Sequence, residues 1–285
     1  MNYSTFTTKK NDDVLSVTID NGDVNVMSAT MAAELLELVE QLAEDSETKV
    51  VVFDSANAEF FIAHFDISDI VKMIDGDESI PTGNIPGLNI LQALVLSIQD
   101  LPQVTVAKVD GICRGGGFEF MLAMDMCFAS EQSKFCFPEA SAGFLPAGGG
   151  STLLPIRAGN QRALEVMLTG RDYSGAEAER YNIVNRSFAT AEELNDYVAS
   201  VVKQMCANSS SAIQAVKSVP KETFALMKDG MLAGMTQENV SMGQCLSDPV
   251  VNASIRKLAE NSGTRDTELN LPDTIANIYE CSITL

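Results

Sequence analysis

The chain has 285 residues, 46% of them hydrophobic, with 39 acids against 19 bases and a formal net charge of −20. That length suits one large domain, or a domain with an appendage, around a sizeable core. The charge repels phosphodiester backbones and anionic lipid, so neither nucleic acid nor a membrane surface is an expected partner. The polar start, Met1-Asn2-Tyr3-Ser4-Thr5, lacks a signal-peptide core, and no apolar run reaches a membrane span. A cytoplasmic protein is therefore expected. Its six scattered cysteines (113, 127, 136, 206, 245 and 281), with no CxxC pair, read as reduced thiols. The single histidine, His64, argues against a zinc site built on several histidines, and no metal is expected.

In chain order, Val14 to Ile19 alternates and is β-branched, which predicts a strand. Ser28 caps a predicted helix with Met31, Leu35, Leu38, Val39 and Leu42 on its apolar face. Val50 to Phe53 reads as a buried strand, with a helix expected after Asp66 and a Gly/Pro-rich loop from Gly76 to Pro86. Leu88 to Ile98 reads as helix, Val104 to Val109 as strand, and Met126 to Ala129 as a short strand. Alternating strands and helices imply a layered α/β fold. After about residue 190 the pattern turns helical: a Thr190/Glu193 capping box to about Met205, then 212–216, 231–246 and 250–260. The chain is accordingly divided into an α/β core, 1–190, and a helical C-terminal region, 191–285, serving as lid or oligomerisation element. The tail from Asn261 carries no assignable pattern.

The stretch that carries chemistry is Gly115-Gly116-Gly117-Phe118-Glu119. A strand, a glycine turn and a helix start aim bare N–H groups at negative charge. The Gly116 N–H is a candidate oxyanion donor, and Phe65, in Ala63-His64-Phe65-Asp66, a second, since Asp66 would cap the next helix and leave the Phe65 N–H free. Glu119, and Glu139 after Pro138, could move protons beside them. The bland readings are a helix-start carboxylate for Glu119 and a solvated loop acid for Glu139. His64 reads as a polar loop residue with a satisfied hydrogen bond, Gly148-Gly149-Gly150 equally as a flexible turn, and Arg114 as a surface or interface residue. An anionic ligand would need a basic entrance, for which Lys72, Lys108, Arg114, Lys134 and Arg157 are the candidates.

The ordered series of Gly115 to Glu119, Met124 to Ser130, Phe135 to Glu139, Gly143 to Gly150, Leu168 to Gly170 and Tyr181 to Asn185 resembles the crotonase (enoyl-CoA hydratase/isomerase) superfamily over roughly residues 12 to 205. The resemblance implies a spiral of repeated β-β-α turns, with C-terminal helices that build a homotrimer or a hexamer. It implies an acyl-coenzyme A thioester as substrate and no bound cofactor. It makes Glu119 and Glu139 the acid/base pair and the N–H groups of Phe65 and Gly116 the oxyanion hole. Ala63, His64, Asp66, Gly115, Gly117, Pro138 and Gly148 fall at the substrate. Keeping both acids points to hydration of a 2,3-double bond. The alternatives are an isomerase or decarboxylase on the same scaffold and, from another class, a non-catalytic binding or scaffold protein. The family's usual Ala-Gly-Ala-Asp loop is here Ala63-His64-Phe65-Asp66, and its basic-aromatic C-terminal segment is replaced by little more than Arg256 and Lys257.

Overall fold

A computed structural model describes residues 3–279, without the side chains of 221–226 and 277–279. Its elements run β1 (Phe6–Asn11), β2 (Val14–Ile19), α1 (Ala29–Glu44), β3 (Val50–Ser55), β4 (Phe60–Ile62), α2 (Ile67–Ile74), α3 (Ile90–Asp100), β5 (Val104–Val109), β6 (Ile112–Arg114) and α4 (Gly115–Leu122). They continue with β7 (Met126–Ser130), β8 (Lys134–Cys136), a 3-10 turn (Ala140–Ala142), α5 (Gly150–Ala158), α6 (Asn160–Thr169), β9 (Tyr173–Ser174), α7 (Gly175–Arg180), β10 (Arg186–Phe188), α8 (Ala191–Cys206), α9 (Ser210–Leu246), α10 (Pro249–Asn261), α11 (Arg265–Leu269) and α12 (Leu271–Tyr279).

Two sheets take alternate strands. The larger runs β1-β2-β3-β5-β7-β10 and the smaller β4-β6-β8-β9. Beyond the β1–β2 hairpin the larger sheet is parallel, with Val50 opposite Val104 and Val106 opposite Met126. In the smaller, Ile112 sits opposite Phe60 and Lys134. Each turn thus lays one strand on each sheet before a helix returns the chain, which is the β-β-α spiral. Strands β4, β6, β8 and β9 have two or three residues each, too short for an alternation to register in sequence.

The core lies between the sheets and their helices. Helix α4 is buried along its whole length, as expected of a helix apolar on every side. Phe118 stacks on Phe137 at 4.4 Å, and Phe120 meets Phe53 edge-on at 5.3 Å. Glu119 rides on this helix and is carried inside with it.

Beyond Phe188 there is no strand among the described residues. The predicted segments 212–216 and 231–246 are one 37-residue helix, α9, which continues through Pro220. Pro220 lies in the interior of a helix long enough to continue past the one hydrogen bond it removes. At Thr190 only half the predicted capping box forms: its hydroxyl accepts from the Glu193 N–H, while the Glu193 carboxylate takes the Ala189 N–H. Helix α8 seals the larger sheet, placing Leu194 and Val198 against Val50, Val104 and Phe128. The tail folds back, so that Leu271 and Ile275 of α12 pack with Ile67, Ile70 and Phe144. Among the described residues no helix is long and apolar enough to cross a membrane. The thiols of Cys113, Cys127, Cys136, Cys206 and Cys245 are free, and Cys281 lies outside the described residues.

Candidate active site

A cavity of about 300 Å³ opens between α4, the loop before α2, the start of α3 and the end of α9. Its wall is mostly apolar, with Leu91, Phe144, Met242 and Leu246 prominent. Phe65, Gly116, Glu119, Glu139 and Gly148 line it together with Leu246, so residues up to 181 positions apart (246 − 65) share one chamber.

The glycines before Glu119 have steric reasons. Gly115 sits at φ +46°, and a Cβ there would lie 2.8 Å from Glu139 Oε1. A Cβ on Gly116 would lie 2.9 Å from Phe65 Cβ and 3.2 Å from Phe65 N. The Gly116 and Phe65 peptides therefore approach too closely to admit a side chain at 116 without a shift. Gly116 belongs to the first turn of α4, where N–H groups have no intrahelical acceptor. Met27 pairs with Phe65 in a parallel bridge: its N–H donates to the His64 carbonyl and its carbonyl accepts from the Asp66 N–H, each at 2.9 Å. Strand alternation then turns the N–H of Phe65 itself to the other side, facing Gly116.

The two carboxylates are held differently. Glu119 Oε1 accepts the N–H groups of Gly148 (2.7 Å) and Gly150 (2.8 Å). Glu139 follows β8 and enters a short 3-10 turn, and its buried Oε2 has no partner among the described residues. Burial first, and the Glu238 charge second, push Glu119 up to about 8 against those two N–H bonds. Burial and then the Glu119 charge push Glu139 well above the usual carboxylate range. Two buried acids that repel each other lose their protons in sequence rather than together, and Glu119, held by two loop N–H groups, is the one placed to ionise first.

Of the seven residues expected at the substrate only Gly148 lines the cavity; Ala63, His64, Asp66, Gly115, Gly117 and Pro138 lie off its wall, Gly115 against the Glu139 carboxylate. Ala63 is buried with Val24, Phe60 and Ile112. Asp66 caps α2, accepting the Ser68 N–H at 2.8 Å. Gly117 abuts Ile62, whose carbonyl a Cβ would meet at 2.6 Å. His64 and Pro138 line a neighbouring void of about 40 Å³ beside Phe65 and Glu139.

His64 is not an ordinary loop residue. It is buried, its Nδ1 lies 2.7 Å from the Phe65 carbonyl, and its Nε2 lies 3.0 Å from Glu268 Oε1, out of line for a hydrogen bond. The Nε2 contact is an ion pair rather than a directed bond. Burial alone would lower the imidazole, but Glu268 outweighs it and the net shift is upward. Burial likewise pushes Glu268 up, yet His64 and the Gly263 N–H carry it below its ordinary value. The His64 contribution to stability is full below the ordinary 6.5 and fades as pH climbs through the raised folded value. The Glu268 contribution is full above the ordinary 4.5 and fades as pH falls through the lowered one. Denaturant unfolding should therefore show wild type ahead of His64→Gln by about 3 kcal/mol between those two values, with the advantage shrinking both above and below that window. An advantage that does not vary with pH would refute the pairing.

Arg114, expected at a surface or interface, is fully buried. It can be, because it forks onto Asp172 at 2.8 and 2.7 Å and donates to the Glu268 carbonyl. The other candidate entrance cations are also engaged within the fold. Lys108 pairs with Asp54, Lys72 with Asp69 and Lys134 with Asp172, and Arg157 caps the Leu122 and Met124 carbonyls. None of the five lines the cavity.

The sequence reading missed Asn89 at the start of α3 and the C-terminal wall of Asn239 and Met242 with Glu238 behind it. A signal existed. Met231, Met235, Glu238, Met242 and Leu246 recur at helical spacing, so Glu238 is a charge set in an apolar stripe.

The two-sheet spiral with its buried chamber is the fold of one enzyme family, and the family comparison identifies it. The enoyl-CoA hydratase/isomerase family signature matches residues 9–247, and the chain belongs to this family, within the crotonase superfamily. It is similar to the carnitinyl-CoA dehydratase of Proteus mirabilis, 29% identical over 227 residues that cover 77% of this chain and 84% of the relative. The Salmonella paratyphi C carnitinyl-CoA dehydratase is 30% identical over 214 residues, covering 75% and 79%. A solved Streptomyces avermitilis protein, assigned as an enoyl-CoA hydratase, superposes with a TM-score of 0.86 at 32% identity, covering 98% of this chain and all of that one. The Bacillus halodurans enoyl-CoA hydratase shares the fold, with a TM-score of 0.78 at 23% identity and coverage of 90% and 100%.

Proposed function

We propose that the protein is a hydratase that adds water reversibly across the 2,3-double bond of an enoyl-coenzyme A thioester. The observation that carries this is the pair of buried carboxylates on a single cavity wall, one anchored by two loop N–H groups and one with an oxygen left unpartnered among the described residues. The thioester oxygen would accept from the Phe65 and Gly116 N–H groups, which draws electron density from C3. Ionised Glu119 would take a proton from a water as its oxygen bonds to C3. Protonated Glu139 would deliver its proton to C2, which balances the addition. The carnitinyl-CoA dehydratase name of the Proteus mirabilis relative describes the same chemistry in the elimination direction.

Loss of the conjugated enoyl absorbance on a panel of 2-enoyl-coenzyme A substrates tests this directly, and no turnover across a broad panel sinks it. The pH profile tests the roles. The base must be ionised, so kcat/KM should climb as pH rises toward about 8 and fall only where Glu139 loses its proton. An acidic limb that persists unchanged in Glu119→Gln would remove Glu119 from the role of base.

We further propose that the helical region, 191–285, builds a homotrimer or hexamer. Val216, Val219, Val240 and Val250 on α9 and α10 are exposed, which supports a covering partner copy. Sedimentation velocity reads this directly, and a monomer overturns it.

A further inference from the structure

Glu238 has no part in the reaction as described, yet it is buried behind the cavity with both oxygens fully engaged. Its Oε1 accepts the N–H (2.8 Å) and hydroxyl (2.7 Å) of Thr152, and its Oε2 accepts the Gly149 N–H (2.9 Å) and the Gln92 amide (3.0 Å). Glu119 takes the interleaved N–H groups of Gly148 and Gly150. The two acids, one from α4 and one from α9, grip the same glycine loop. Asn89 and Asn239 tie the frame together: Asn89 donates to the Ala147 carbonyl and to Asn239, and Asn239 donates to Gln92.

We propose that Glu238 is a positioning residue for Glu119, fixing the loop that holds the Glu119 carboxylate and setting a second negative charge behind it. The inference rests on the hydratase reading for its kinetic consequence, but not for its geometry. Four donors meet four acceptor sites, a match that only an ionised carboxylate provides. A glutamine there would turn N–H groups onto either Thr152 or the Gly149–Gln92 pair. The charged groups around Glu119 are Glu139 from the loop after β8 and Glu238 from α9. His64 lies beyond Gly115, and Arg157 of α5 binds carbonyls at the far end of α4. No cation lines the cavity to offset the two acids among the described residues. The Glu238 charge is the second cause, after burial, of the raised Glu119 titration.

The test follows Glu119 by carbon-13 NMR of its carboxyl in the full-length protein, assigned with Glu119→Gln, beside kcat/KM against pH. In Glu238→Gln the Glu119 midpoint and the acidic limb should both fall by about half a pH unit or more. Its kcat should drop about tenfold while KM changes less than about threefold. A purely structural role would cost activity and stability without moving the midpoint, and an unmoved midpoint overturns the proposal. Thr152→Val keeps the charge and removes one loop contact, so its midpoint should stay while kcat falls several-fold. If Glu238→Gln does not fold, Thr152→Val decides: a wild-type Glu119 carboxyl signal together with wild-type kcat overturns the proposal. The NMR midpoint is read whether or not an enoyl thioester is turned over, so failure of the hydratase reading and failure of this one are distinguishable.

Discussion

Glu119→Gln and Glu139→Gln should each lower kcat for hydration of a 2-enoyl-coenzyme A about 10²- to 10⁴-fold, with the protein still folded. The fold survives because neither change breaks the scaffold. A glutamine at 119 still offers a carbonyl oxygen to the Gly148 and Gly150 N–H groups. At 139 the buried Oε2 has no partner among the described residues to lose. Replacing one of two repelling buried acids also relieves the other: without Glu119, one cause of the raised Glu139 titration is gone. The melting temperature should therefore hold or rise while activity collapses. The pair also separates the competing reactions. Hydration moves one proton off water and another onto carbon, so it needs both acids. Isomerisation can shuttle a single proton with one. If one variant keeps near-wild-type turnover on a double-bond isomerisation substrate, the hydratase reading gives way to the isomerase.

The elements that were legible in sequence are those with a period or a punctuation mark. Helix α1 announced itself through Ser28 and the spacing of Met31, Leu35 and Leu42, and β5 through its β-branched run closed by Gly111. The turn of Gly115 to Glu119 stood out because three glycines before an acid have few other uses. The second sheet was hidden, because three-residue strands such as Phe60–Ile62 are too short to alternate. The far wall of the chamber was hidden for a different reason. Asn89, Gln92 and Asn239 act through contacts spanning up to 150 positions, and only Glu238, a charge in an apolar stripe, left a trace in the local pattern. Arg114 misled because a lone arginine looks exposed until Asp172, 58 residues on, is seen to neutralise it.

Gly116→Ala should lower kcat about 10²- to 10³-fold, close to the worth of one oxyanion donor. Gly116 does not need a left-handed backbone, so alanine costs nothing in φ, and the effect comes from contact alone. The new methyl would lie 2.9 Å from Phe65 Cβ, 3.2 Å from Phe65 N and 3.3 Å from Leu91 Cδ2. Leu91 can rotate away, but Phe65 Cβ moves only with its backbone. That backbone is pinned by the Met27 bridge on one side and the Asp66 cap on the other. Strain therefore has to separate the Phe65 loop from the first turn of α4, which drives the two N–H groups apart. A ground-state thioester carbonyl carries little charge and would bind nearly as before. The oxyanion forming in the transition state would lose the donor pair, so kcat should fall far more than KM rises. A folded Gly116→Ala protein with full kcat would show that the facing N–H groups of Phe65 and Gly116 are packing, not chemistry.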